Sequence, residues 1–183
     1  IEMDAIEGFD LSQIIYNKEN INLDDYSIQQ IILQIASGLS YVHNFAYEPD
    51  EFTAQLVVKA QSKRRCIVHS DLKPSNIIVC QRLGTCKIAD FGHACQNSDM
   101  LSGAKGSPGF FAPEMFTEAH YDGGKADVWS LGVVFMEMIL GSVLFEQHWM
   151  AVGPFANVEN TTKDVFRIRI LRALKSLRDL ERN

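Results

Sequence analysis

Between His69 and Asn76 the chain reads His69-Ser70-Asp71-Leu72-Lys73-Pro74-Ser75-Asn76, and fourteen residues after Asn76 comes Asp90-Phe91-Gly92. An acid, a cation and an amide stand within six positions, and a second acid follows. Asp71 can accept the proton of an attacking hydroxyl. Lys73 can point to the same side as Asp71 in an extended loop and offer a positive charge to a phosphate. Asn76 supplies a neutral oxygen, and Asp90 a charged one, to a hard cation such as Mg²⁺, which keeps several of its waters. Pro74 fixes φ and biases Lys73 away from helix. Gly92 lets the backbone turn sharply after Phe91. Such a set suits phosphoryl transfer, which needs positioning and charge neutralisation more than covalent help. Alone, Asp-Leu-Lys-Pro is ordinary turn chemistry and Asp-Phe-Gly is a loop with a buried aromatic. Their order and spacing carry the reading.

The elements that must hold these residues are legible around them. Ile77 to Val79 and Cys86 to Ala89 read as two short strands about a turn at Arg82-Leu83-Gly84. The hairpin would set Asn76 and Asp90 on either side of a metal site. Asp24 to His43 reads as a long helix capped by Asp24 or Asp25. Ile28, Ile31, Ile32, Ile35, Leu39 and Val42 recur there at helical spacing and define a core face. His43 is expected to be a helix-end residue and not a ligand. Val128 to Phe145 is almost continuously apolar and reaches the length of a membrane span, but it contains Ser130 and Glu137 and lacks a basic flank on its C-terminal side. A helix apolar all round is either a membrane span or buried in a large core. Thr161 to Arg182 reads as a basic amphipathic helix with Val165, Ile168, Leu171, Leu174 and Leu177 on one side.

The two motifs resemble the catalytic loop and the metal-binding loop of eukaryotic-type protein kinases, serine/threonine class. Gly106-Ser107-Pro108-Gly109-Phe110-Phe111-Ala112-Pro113-Glu114 resembles the end of a kinase activation segment, and Lys125-Ala126-Asp127-Val128-Trp129-Ser130-Leu131-Gly132 the start of the central helix of the large lobe. The implied fold is α+β, mostly α: a kinase-like C-terminal lobe with a short β-hairpin at the catalytic site, over roughly residues 1–145. Residues 146–183 form a divergent C-terminal segment. The resemblance implies ATP and Mg²⁺ as cofactors and a protein Ser or Thr hydroxyl as acceptor. Asp71 would be the catalytic base, Lys73 the phosphate contact, and Asn76 and Asp90 the metal ligands. Met3 to Leu11 resembles the hinge between lobes, with Met3 as gatekeeper. The backbone of Asp4 and Ile6 would then meet adenine, Asp10 the ribose, and Ile78 would pack beneath the ring. Asp127 would hold the catalytic-loop backbone, and His69 and Phe91 would stack in the core. Ser107 would contact the catalytic loop. The resemblance also makes Val128 to Phe145 a buried core helix.

Three departures accompany the resemblance. Position 70 is Ser where many kinases carry an Arg that meets an activation-segment phosphate, so regulation by phosphate at Ser98 or Ser102 through this position is not expected. No Gly-rich phosphate loop or strand Lys precedes the hinge, so these residues alone are expected to be inactive. Twenty-three residues, 44–66, separate His43 from Ile67, where the family usually has a few. With Glu48-Pro49-Asp50 as a turn and Lys59, Lys63, Arg64 and Arg65 near its end, the insertion reads as a solvated surface loop or as a docking site for a partner. A non-catalytic interaction module is the alternative to a kinase, and a small-molecule kinase the third reading.

Composition bounds these readings. One domain fits 183 residues, with 46% hydrophobic and 22% charged content. A net charge of −6 argues against a general nucleic-acid binder. The charge is uneven: residues 163–183 hold seven Lys/Arg against three Asp/Glu, leaving 10 against 20 elsewhere. This suggests that the last helix packs on its own acidic lobe, with a membrane-surface or partner role as the other reading. Cys66, Cys80, Cys86 and Cys95 form no Cys-x-x-Cys pair, so reduced thiols in the cytoplasm or nucleus are expected. The N-terminus is not a signal peptide in pattern.

Overall fold

A computed structural model describes residues 6–16, 23–44, 66–80, 84–97, 100–151 and 162–180. The hinge residues Met3 and Asp4, almost all of the insertion, Arg82-Leu83 of the hairpin turn, and Ser98 lie outside them.

Strand β1 (Phe9–Asp10) leads directly into helix α1 (Leu11–Tyr16), and α2 spans Asp25–Asn44. Asp24 caps α2: its Oδ1 accepts the Ser27 N–H at 2.8 Å, and its carbonyl takes the Ile28 N–H. The expected face of α2 is turned inward, with Ile28, Ile31, Ile35 and Leu39 buried. Strand β2 (Cys66–Val68) pairs antiparallel with β5 (Cys95–Asn97), Val68 opposite Cys95. Strands β3 (Ile77–Cys80) and β4 (Thr85–Ile88) form the expected hairpin, and β1 adds to its free edge in the order β1-β3-β4. The register sets Asp10 opposite Ile78 and Ile77 opposite Ile88. Gly8 enters this edge closely; a Cβ there would lie 2.4 Å from the Val79 carbonyl oxygen.

The single turn α3 (Glu114–Thr117) precedes α4 (Gly123–Phe145), which continues into a π-type turn, Glu146–Met150. Asp122 caps α4 by accepting the N–H groups of Gly124 and Lys125. Gly141, at φ 71°, kinks it before its last turn. Helix α5 (Lys163–Leu180) closes the described chain.

Two hydrophobic clusters share α4. One joins α1 and α2 to β3 through Leu11, Ile14, Ile31, Ile35 and Ile77, with Val134 and Met138 from α4. The other joins the segment before α3 to α5 through Phe111, Trp149, Phe166 and Ile170, with Ala126, Val133 and Phe145 from α4.

Two expectations are corrected here. Helix α4 is not buried all round: Val128, Phe135, Ile139, Val143 and Leu144 are exposed. The clusters grip only part of its circumference. By length and composition it would suffice to cross a membrane, which is weak evidence, because a core helix passes the same test. Helix α5 turns a different side inward than expected. Phe166, Ile170 and Ala173 are buried and Leu177 packs beside them, whereas Val165, Ile168, Leu171 and Leu174 are exposed.

Candidate active site

The loop of residues 69–76 is anchored from α4 and α2. Asp127, buried at the start of α4, accepts the His69 N–H on Oδ2 at 2.8 Å and the Ser70 N–H on Oδ1 at 2.9 Å. His43, at the end of α2, places its Nε2 2.8 Å from the same Oδ2. His43 thus ties α2 to the loop, a role that its helix-end position did not announce. Ser70 takes a left-handed conformation, φ 66°, and its hydroxyl lies 3.7 Å from the Cys95 thiol. A chain bent there and held by two amides delivers Asp71 on the far side of the turn.

Asp71 is buried and its two oxygens differ. Oδ2 lies 2.9 Å from Lys73 Nζ and accepts the Asn76 amide at 3.2 Å. Among the described residues Oδ1 has no hydrogen-bond partner. Burial pushes its pKa up, but the adjoining Lys73 ammonium, with the nearby Ser107 hydroxyl and His93 ring, outweighs that and holds the carboxyl below its ordinary value. Lys73 Nζ also donates to Ser107 Oγ at 2.6 Å, so the expected contact between Ser107 and the catalytic loop is present. Gly106 makes it possible: at φ +104°, a Cβ would sit 2.4 Å from the Ser70 carbonyl oxygen and 3.2 Å from Asp71 Oδ1.

The hairpin brings the two proposed metal ligands to one end. Asn76 closes a 3-10 turn, Pro74–Asn76, and its carbonyl accepts the Ala89 N–H at 2.8 Å, next to Asp90. The Asn76 side-chain NH₂ donates to the Asp71 carbonyl at 2.8 Å as well as to its carboxylate, which leaves the Asn76 side-chain oxygen for a cation. Asp90 is exposed at φ 57° and accepts the Gly92 N–H at 3.1 Å with Oδ1. An amide oxygen and an exposed carboxylate fit Mg²⁺, which needs few protein ligands.

His69 is fully buried and meets Phe91 edge-on, ring centroids 4.8 Å apart. The expectation that both stack in the core holds for His69 alone. Phe91 is 43% exposed, because the 3-10 turn Phe91–His93 runs along the surface.

The remaining predicted residues gather on the β1–β3 edge. Ile6 is exposed, and Ile78 lies opposite Asp10 in the ladder. The Asp10 carboxylate caps α1, with Oδ1 accepting the Gln13 N–H at 2.9 Å and the Ser12 hydroxyl. Only Ile77 separates Asn76 from Ile78, so β3 links this edge to the metal-binding end. Asp4 lies outside the described residues.

Sequence reasoning missed His43, Gly8, Gly106 and the β2–β5 pairing. Gly106 and Gly109 bracket Ser107, a signal of close backbone approach that was available; Cys95–Asn97 carries no alternation that would mark a strand.

A protein kinase domain model matches residues 1–178, past the Phe145 limit of the motifs. A CBL-interacting serine/threonine-protein kinase 21 of Arabidopsis thaliana is 29% identical over 154 residues, covering 83% of this chain and 31% of that protein. The serine/threonine-protein kinase unc-51 of Caenorhabditis elegans is 31% identical over 154 residues, covering 78% of this chain and 15% of its own length. A mouse sperm motility kinase 2B is 35% identical over 146 residues, covering 79% and 25%. The chain therefore spans less than a third of the length of these relatives.

Proposed function

The chain belongs to the protein kinase family, and from that premise we propose that it carries the catalytic lobe of an enzyme transferring the γ-phosphoryl of ATP to protein Ser or Thr hydroxyls. The observation that carries the reading is the buried Asp71 carboxylate, its Oδ2 held by Lys73 and Asn76 and its Oδ1 without a hydrogen-bond partner among the described residues. Oδ1 is therefore the carboxylate oxygen left to accept a hydrogen bond from an acceptor hydroxyl. The lowered pKa keeps Asp71 ionised near neutrality, so Oδ1 orients the hydroxyl and takes its proton. Lys73, fixed between Asp71 and Ser107, offers its charge to the γ-phosphate. Asn76 and Asp90 would hold Mg²⁺, which neutralises phosphate charge when bound. On this reading Ile6 and Ile78 offer apolar surface to adenine, with the Ile6 backbone at its edge and Asp10 toward the ribose. The free thiols Cys80, Cys86 and Cys95 support an intracellular enzyme.

These 183 residues contain no Gly-rich phosphate loop, so on this proposal they need such a lobe upstream to act. The test is calorimetric MgATP binding to this chain and to a longer form extended by a small lobe's length. Expected is binding in the longer form, lost with Asp90→Asn, and transfer to a Ser/Thr peptide lowered roughly 10²–10⁴-fold by Asp71→Asn. Absence of binding in both folded forms would sink the enzyme reading in favour of a kinase lobe kept for protein interaction.

A further inference from the structure

We propose that Leu101 and Tyr121 form a latch that seats residues 101–107 on the catalytic loop without a phosphate, with Tyr121 a positioning residue for phosphoryl transfer. The inference rests on the kinase reading above and adds how its activation segment is held.

Leu101 and Tyr121 exchange both backbone hydrogen bonds, each 2.8 Å, as an isolated antiparallel pair. Tyr121 is 2% exposed, and its phenol donates to the Gly103 carbonyl at 2.9 Å. The Leu101 side chain lies in a notch that Gly123 leaves open. A Cβ there would be 2.6 Å from Leu101 Cδ1 and 2.9 Å from both Val68 methyls. Val68 immediately precedes His69, so the latch closes against the root of the catalytic loop.

Three residues beyond Gly103, Gly106 lies against the Ser70 carbonyl, and Ser107 accepts from Lys73. The stretch is thus pinned at its start by Tyr121 and at its end by the catalytic residues. The hydroxyl of Ser70, where a phosphate-reading cation would stand, lies 3.7 Å from the Cys95 thiol. The latch uses backbone pairing, one buried phenol and apolar packing, none of which needs an added charge.

Amide hydrogen exchange on this chain, read by NMR, tests the latch without requiring catalysis. The Leu101 and Tyr121 amides, each bonded to the other residue's carbonyl, are the reporters. Tyr121→Phe removes only the bond to Gly103. Exchange at Leu101 and across 103–107 should rise roughly 2- to 10-fold, the loss of one ordinary hydrogen bond, with α2 and α4 unchanged. Leu101→Ala should open the same stretch. Unchanged exchange in both variants, or a rise spread evenly over α2 and α4, overturns the latch. In a longer, active form, Tyr121→Phe should lower kcat several-fold at constant KM for ATP, and alanine at both Ser98 and Ser102 should leave the rate unaltered. A rate abolished by those alanines and restored by aspartates overturns phosphate independence. A wild-type form that transferred no phosphate would sink the kinase reading and the positioning role together; normal transfer with unchanged exchange would sink the latch alone.

Discussion

Asp71 and Glu137 are both buried carboxylates, and burial has opposite results in the two. In Asp71 the desolvation is overcome by Lys73, Ser107 and His93, and the acid stays strong. In Glu137 burial dominates: a hydrogen bond from Tyr16 favours the anion, but the charge of Glu146 opposes it, and the pKa rises from 4.5 to about 7. Among the described residues Glu137 Oε2 has no hydrogen-bond partner. The signs for stability differ accordingly. Asp71 contributes stability above its unfolded value of 3.8, and this is lost as pH falls through its lower folded value. Glu137 binds its proton more tightly when folded. Its contribution is full below 4.5 and is lost as pH rises through about 7. Glu137→Gln should therefore flatten the fall in melting temperature between those two pH values; an unchanged slope would show that another group sets it. At this scale the sequence was informative where residues act through close neighbours. Asp71, Lys73 and Asn76 lie within six positions and do form one network. The His43 bond to Asp127 spans 84 positions, and nothing local to His43 encodes it.

At the scale of elements, α5 shows why one pattern misled and another would not have. Val165, Ile168, Leu171, Leu174 and Leu177 are each three residues apart, and three residues turn an α-helix about 60° short of a full circle. Four such steps wind round the helix, so the five residues cannot share one face. Phe166, Ile170, Ala173 and Leu177 alternate steps of four and three and stay within about 60°. That is the side the fold buries, with Phe166 stacked on Phe116 at a centroid distance of 4.4 Å. Phe166→Ala should cost roughly 3–5 kcal/mol, whereas Leu171→Ala on the exposed side should change stability by less than about 0.5 kcal/mol. Thermal denaturation of the pair decides it; equal losses would contradict the observed face. Helix α2 was legible because its 3.6-residue period admits only one inward face, and the β3–β4 hairpin because two short strand-like runs flank a turn with Gly84. The exposed side of α4 was not legible, because a run apolar at nearly every position carries no period at all.

For the whole molecule, the C-terminal helix seats an apolar face against the rest of the chain. Helix α5 carries a local excess of Lys and Arg, and its inner side buries Phe166, Ile170 and Ala173, with a 2.7 Å bond between His148 and Ser176 at the edge. The two hydrophobic clusters, for their part, are not independent bodies. Val134 and Met138 belong to one and Ala126, Val133 and Phe145 to the other, and all five lie on α4. Neither cluster can lose its partner wall without dismantling the other's. The chain should therefore melt once: in urea, tryptophan emission from Trp129 and Trp149, which reports the α5 side, and far-ultraviolet ellipticity, which is weighted by α2, should trace the same curve with one midpoint. Two separated midpoints would mean that the helix does not couple them. A lesion such as Phe166→Ala would then be felt as far away as α1, not through any contact with it, but because a molecule with one shared wall has only one way to come apart.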